Sequence, residues 1–157
     1  MITDQYYPPP DLSDGRYATE FGRLNSLISD AVINCNVQYL SWAMNNLTYN
    51  YEWGAFPGFH GLDLCYTFHP FNIPVDGQNV CLLYGSERPT QFQKYLVSFV
   101  KYGSPNYPQT PPIVPFPIFG KAKDIVEITL IEDFYVTQDN KLPEDRCNFW
   151  QSAPYIG

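Results

Sequence analysis

Residues 56–68, Phe-Pro-Gly-Phe-His-Gly-Leu-Asp-Leu-Cys-Tyr-Thr-Phe, read FPGFHGLDLCYTF and contain one of the two histidines of the chain. The preceding TYNYEW (48–53) alternates and is rich in aromatic residues, as a strand should be. Gly54 ends it, and Pro57-Gly58 marks a turn. His60 therefore falls on a loop directly after a strand, where a rigid scaffold can present a functional side chain. An imidazole titrates near working pH and can both accept and return a proton. A lone histidine among glycines and aromatics is more often structural, so the reading turns on its partners.

Outward from this loop, the elements separate by period. Residues 1–15 read as a loop, because YYPPP (6–10) lacks the donors and the φ freedom a helix needs. From Tyr17 to Met44 the pattern is helical. Phe21, Leu24, Leu27, Ile28, Ala31 and Val32 recur at three- and four-residue steps, and Val37, Leu40 and Trp42 extend the stripe after a break near Asn34–Asn36. Such a stripe is expected to face a core. Residues 69–88 are broken by Pro70, Pro74 and Gly77. A second helix is expected after Pro89, with Phe92, Leu96, Phe99 and Val100 on its inner face and Gly103 at its stop. Residues 104–120 hold six prolines and must be extended or turning. DIVEITLIEDFYV (124–136) is strand-like, as one strand or a pair, and RCNFWQ near the terminus is expected to be a short helix. Few strands beside two amphipathic helices make a poor closed domain.

Bulk chemistry excludes several function classes. The chain has 157 residues, enough for one domain with a core, and 45% of them are hydrophobic with 17% aromatic. Only nine lysines and arginines stand against sixteen acidic residues, for a net charge of −7. Neutralising phosphates needs a basic face, so nucleic acid is not an expected partner. No apolar run approaches the roughly 18 residues a membrane span requires. The opening MITDQYYPPPDLSDG does not read as a signal peptide. Asn46-Leu-Thr48 is nevertheless a glycosylation sequon, and four cysteines are an even number, both of which lean toward a secreted origin. Neither histidine has cysteine or carboxylate company at ligand spacing, so no metal or organic cofactor is expected.

Four features in order give the chain a resemblance to the C-terminal portion of type-B carboxylesterases, the secreted α/β-hydrolases that include lipases and cholinesterases. They are the helical segment ISDAVINCNVQYL, the aromatic strand running into a His-Gly-x-Asp/Glu loop in YNYEWGAFPGFHGLDLCYTF, the helix and tail YLVSFVKYGSPN, and RCNFW near the terminus. The opening YYPPPDLSDGRY is similar to fungal members. The likeness covers almost all of residues 1–157 as a single segment, and about the last third of a typical family member. It implies an α/β fold made of the last strands of a large sheet plus packed helices, incomplete as a stand-alone domain.

The resemblance also implies roles. His60 matches the family's catalytic histidine, and the triad order of serine, acid, then histidine suits its place. Asp63 matches the acidic residue of the same loop and is expected to cap the turn or helix after His60 through backbone N–H groups. Cys35 and Cys147 match a family disulfide. Cys65 and Cys81 have no clear counterpart, and either pair across the proline-broken loop or stay as buried thiols, with pairing favoured. His69, in TFHPF, is expected to be structural. Phe56, Phe59 and Tyr66 are candidates for an apolar pocket or for core.

The departures bear equally on function. The chain has no Gly-x-Ser-x-Gly nucleophile elbow; its GSERP and GSPNY stretches lack the second glycine. Oxyanion-hole glycines are absent, and Glu20 and Asp30 lie upstream of His60 on the helix, not on a matching loop. An isolated imidazole lowers barriers little. The reading is thus an ester-hydrolase segment, inactive alone, whose complete enzyme takes an ester or lipid substrate and whose partner is the N-terminal part of the hydrolase. A non-catalytic, hydrolase-like interaction module is the alternative.

Overall fold

A computed structural model of the chain describes residues 5–11, 17–55, 58, 60–68, 70, 74–75, 78–79, 81, 87–106, 114–130, 134–139 and 144–152. The architecture is mixed α/β. Met1–Leu47 together with Asp139–Gly157 form one compact unit, and Thr48–Gln138 form another.

The first unit is built on a helix that changes gauge midway. Helix α1 (Glu20–Ser29) starts where the Thr19 hydroxyl accepts the Gly22 N–H at 3.1 Å. A π-helical turn follows over Asp30–Asn34, and α2 runs Cys35–Ala43. The expected break near Asn34–Asn36 is therefore no break. A π turn takes up one extra residue, the Cys35 N–H reaching back five positions to the Asp30 carbonyl. Asn36 Nδ2 donates to the Val32 carbonyl at 2.9 Å, one turn back across the change of gauge. Asn45 and Asn46, both with positive φ, end the helix, and the Asn46 N–H bonds the Ser41 carbonyl.

The helix does not bury the face that periodicity selects. Phe21 is 80% exposed, Val32 63% and Leu40 62%, with Leu24, Ile28, Val37 and Met44 also exposed. What turns inward is Asp30, Cys35, Gln38 and Ser41. Both faces step by five residues across the π turn, from Val32 to Val37 outside and from Asp30 to Cys35 inside, so each stays continuous. Asp30 anchors that inward side. Its carboxylate accepts the Tyr7 hydroxyl at 3.0 Å, the Asn34 amide at 3.1 Å, and a salt bridge from Arg146 at 3.2 Å. The Arg146 guanidinium also lies over the Tyr7 ring, and Trp150 Nε1 donates to the Tyr7 hydroxyl at 2.8 Å. A buried charge held by several partners is stable, and one stripped of them is not.

The cluster fastens three distant segments. Tyr7 belongs to the proline-rich opening, which reads as a loop and yet is fully buried at this residue. Arg23 Nε ties the Tyr7 carbonyl to α1, and the Tyr17 hydroxyl bonds the Pro8 carbonyl, an acceptor within a stretch whose prolines have no N–H. Arg146, Cys147 and Trp150 come from the terminal helix α5 (Glu144–Ser152), the expected short helix. Cys35 and Cys147 are bridged beside them, 112 residues apart in sequence.

The second unit carries a three-stranded sheet. Strand β1 (Tyr51–Trp53) pairs in parallel with β4 (Asp124–Ile128), which pairs antiparallel with β5 (Phe134–Gln138). The strand-like run 124–136 is thus a pair. The strand expected over 48–53 keeps ladder geometry only at 51–53, because the Thr48 carbonyl is taken by Phe119 N–H in the proline-rich arm. The parallel β1–β4 step encloses α3 (Leu64–Thr67), a small hairpin of β2 (Pro74–Val75) with β3 (Gln78–Asn79), and α4 (Glu87–Tyr102). The core is largely aromatic: Tyr66, Phe92, Tyr95, Phe116 and Phe134 pack with Val126 and Ile128.

Helix α4 is likewise rotated from expectation. It buries Pro89, Phe92, Tyr95 and Ser98, while Phe99 and Val100 are exposed and Leu96 is half-buried. Polar anchorage again sets the face. The Tyr95 hydroxyl donates to the Val114 carbonyl at 2.8 Å and accepts its N–H at 3.1 Å, and Ser98 Oγ donates to the Ser104 carbonyl. Asn106 then brackets Phe116, its amide bonding both the N–H and the carbonyl at 2.7 Å. Side chains thus supply the partners that a proline-rich arm cannot find in a ladder.

Removing Arg146 (Arg146→Met) strands the Asp30 carboxylate and should cost about 3 kcal/mol or more in urea unfolding. Replacing Cys35 and Cys147 together by serine should cost on the order of 4–5 kcal/mol, against about 3 for Cys65 with Cys81, whose bridge spans only 16 residues; paired unfolding curves measure both. The Tyr7 hydroxyl has its pKa raised by burial, against the lowering pull of the Trp150 hydrogen bond, with the adjacent Asp30 charge raising it further. With the folded value above the unfolded one, this contribution is complete below about pH 10 and is lost as pH rises through the folded value. Tyr7→Phe should therefore flatten the fall in stability at alkaline pH, followed by urea unfolding at stepped pH.

Candidate active site

The candidate site is the turn that joins β1 to α3. Trp53 closes the strand, edge-on to Tyr66 with ring centroids 4.6 Å apart, and Ala55 behind it is fully buried. The chain then turns, the Gly58 N–H meeting the Ala55 carbonyl at 2.8 Å. His60 stands exposed at the head of a second turn. Gly61 follows with φ +86°, a left-handed conformation that costs a side chain strain; the space itself is open, since a Cβ there would meet only Leu64 at 3.9 Å. Leu62 is buried. Successive N–H groups of Leu64, Cys65 and Tyr66 bond the carbonyls of Gly61, Leu62 and Asp63 and carry the turn into α3. The Cys65–Cys81 bridge then fixes α3 to the segment before α4, so these cysteines are paired, not free thiols.

Asp63 does not act as expected. It stands at the α3 N-cap position in helical conformation (φ −62°) and makes no side-chain cap. The helix N–H groups it would have capped already meet carbonyls of the preceding turn. Its carboxylate instead accepts the Tyr51 hydroxyl from β1 at 2.8 Å. Burial and this carboxylate raise the Tyr51 pKa well above the ordinary tyrosine range, so the hydroxyl stays a donor at any working pH. Sequence reasoning does not find Tyr51, because no local spacing rule links residues 51 and 63.

The other sequence candidates have contacts of their own. Glu20 pairs with Arg23 at 3.1 Å, and Asp30 is held by Arg146, Tyr7 and Asn34, so both upstream acids are engaged elsewhere. Tyr66 is core, not pocket wall. Phe56, Phe59 and His69 lie outside the described residues. Asn46, the sequon asparagine, is part-buried at the end of α2 with its carboxamide oxygen shut off from solvent. Among the described residues, no group of three or more His, Cys, Asp or Glu side chains is placed to hold a metal ion, and no helix is long and apolar enough to cross a membrane. Chemically, the turn offers one exposed imidazole on a braced backbone. It can exchange protons with whatever nucleophile is brought to it.

No protein-family model matches the chain. It is similar to carboxylesterase patB of Aspergillus clavatus, with 26% identity over 148 residues, covering 93% of this chain and 24% of that protein. It is similar also to carboxylesterase patB of Penicillium expansum, with 27% identity over 151 residues, covering 95% of this chain and 25% of that protein. The chain spans about a quarter of the length of the curated relatives it matches. The relationship to these fungal proteins is carboxylesterase-like and distant, and it runs through nearly all of the sequence.

Proposed function

We propose that this chain is the C-terminal portion of a carboxylic ester hydrolase of the type-B carboxylesterase kind, with an α/β-hydrolase fold, and that His60 is its general base and acid. One observation carries the reading: an exposed histidine on a glycine-hinged turn, directly after a parallel-paired strand, in a sequence similar to carboxylesterases along nearly its whole length. In the proposed reaction His60 takes the proton of a serine hydroxyl as that oxygen attacks the ester carbonyl. It returns the proton to the departing alkoxide, leaving an acyl-enzyme. It then deprotonates a water that attacks the acyl carbonyl, and returns that proton to the serine oxygen as the acyl–serine bond breaks and the carboxylic acid leaves. The serine, its acidic partner and the oxyanion donors belong to hydrolase polypeptide other than these 157 residues, which contain no Gly-x-Ser-x-Gly.

Further observations support the proposal. The stripe from Phe21 through Leu40 to Met44 is uncovered, and further hydrolase polypeptide packed there would bury it. Two disulfides are at home in an oxidising compartment and fit a secreted enzyme, and the Asn46-Leu-Thr48 sequon leans the same way. The substrate class is a carboxylic ester, lipid-like esters included. The same stripe also favours a second reading, a hydrolase-like module that binds a partner without catalysis.

Hydrolysis of p-nitrophenyl butyrate tests the proposal. Residues 1–157 alone should hydrolyse it no faster than free imidazole at equal concentration. The gene product captured from its source with an antibody to residues 104–120 should hydrolyse it efficiently, and His60→Ala should lower kcat by about a thousandfold or more with little change in KM. A captured product that keeps its activity without His60 would overturn the assignment. One with no esterase activity at all would favour the binding module.

A further inference from the structure

We infer that Tyr51 is a positioning residue for His60, acting through Asp63. The inference rests on the hydrolase reading for its consequence and on geometry for its substance. Asp63 is held from both ends. Its carbonyl accepts the N–H groups of Tyr66 and Thr67 at 2.9 Å, and Thr67 Oγ1 at 3.1 Å, which locks it to α3. Its carboxylate accepts the Tyr51 hydroxyl, which locks it to β1. Tyr51 is itself fixed. Its backbone lies in parallel register with Val126, and its ring meets the fully buried Phe92 edge-on at 5.1 Å.

Between Asp63 and His60 lie only Leu62, which is buried, and Gly61, which supplies the left-handed bend. The backbone that presents the imidazole is thus stretched between the strand before it and the helix after it, and the Tyr51–Asp63 bond is a cross-tie between the two. A hydroxyl-to-carboxylate bond is among the stronger hydrogen bonds, as one partner is charged. Proton transfer to a serine depends on imidazole placement at the level of a few tenths of an ångström, so a tie that removes play from this turn acts on the rate without touching substrate.

Nuclear magnetic resonance of residues 1–157 tests the inference, comparing wild type, Tyr51→Phe, Asp63→Asn and the double variant. Tyr51→Phe should speed amide exchange at Leu64, Cys65 and Tyr66 by about fivefold, the value for one lost hydrogen bond. It should also shift or broaden the His60 imidazole signal, assigned by its loss in His60→Ala, while exchange at Val126 and Val136 stays as in wild type. Asp63→Asn should do the same to a similar degree, and the double variant should add little, because both changes cut one tie. If Tyr51→Phe fails to fold, Asp63→Asn, on a half-buried turn with the tyrosine ring left in place, carries the test. Unchanged His60 and turn signals would overturn the inference. So would loosening spread equally to the β4–β5 amides, which would make Tyr51 a stability residue only. Either result leaves the role of His60 itself to the ester-hydrolysis experiment.

Discussion

A carboxylate withdrawn from water must be met by hydrogen-bond donors and positive charge, and in the first unit that requirement falls on Asp30. Its partners come from the opening segment, from the helix itself and from the terminal helix. The rest of the unit is arranged to reach it. The helix turns its polar side in, Tyr7 is drawn fully under cover, and Arg146 and Trp150 arrive from more than a hundred residues away. The Cys35–Cys147 bridge lies in the same layer and closes it covalently.

Hydrophobic periodicity assumes that apolar burial decides which face of a helix is inside. Within these 157 residues the inward side of α1–α2 is polar, Asp30 above all, while the apolar stripe of the same helices stands uncovered. In α1–α2 Phe21 and Leu40 are exposed and Gln38 is buried, although nothing among the described residues partners the Gln38 amide. In α4 the rotation is smaller, because Phe92 serves both the predicted face and the real one, but Tyr95 and Ser98 replace Phe99 and Val100 inside.

The candidate site follows from the same economy of donors. The N–H groups of Leu64, Cys65 and Tyr66 are met by carbonyls of the preceding turn, and the Asp63 carboxylate bonds Tyr51 in place of a cap. His60 is presented by a backbone braced at Leu62 and Asp63 and bent at Gly61. Burial of the imidazole is not needed for that, and the side chain remains accessible.

Much of this protein is local and was open to reading from sequence. The strand before His60, the turn signals around it, the helix stop at Gly103, the strand-forming run 124–136 and the terminal helix all follow from short-range backbone preferences of glycine, proline and β-formers. The placement of His60 on a loop after a strand belongs to that class. Helix orientation, the π turn that merges two helices into one, the burial of Tyr7, and the Tyr51–Asp63 tie do not. Each depends on a polar atom finding a partner distant in sequence, 12 residues off for Asp63 and 143 for Tyr7 with Trp150. Spacing rules reach three or four residues, whereas hydrogen-bond satisfaction in a folded interior has no such limit, and that difference separates what the sequence determined from what the tertiary structure decided.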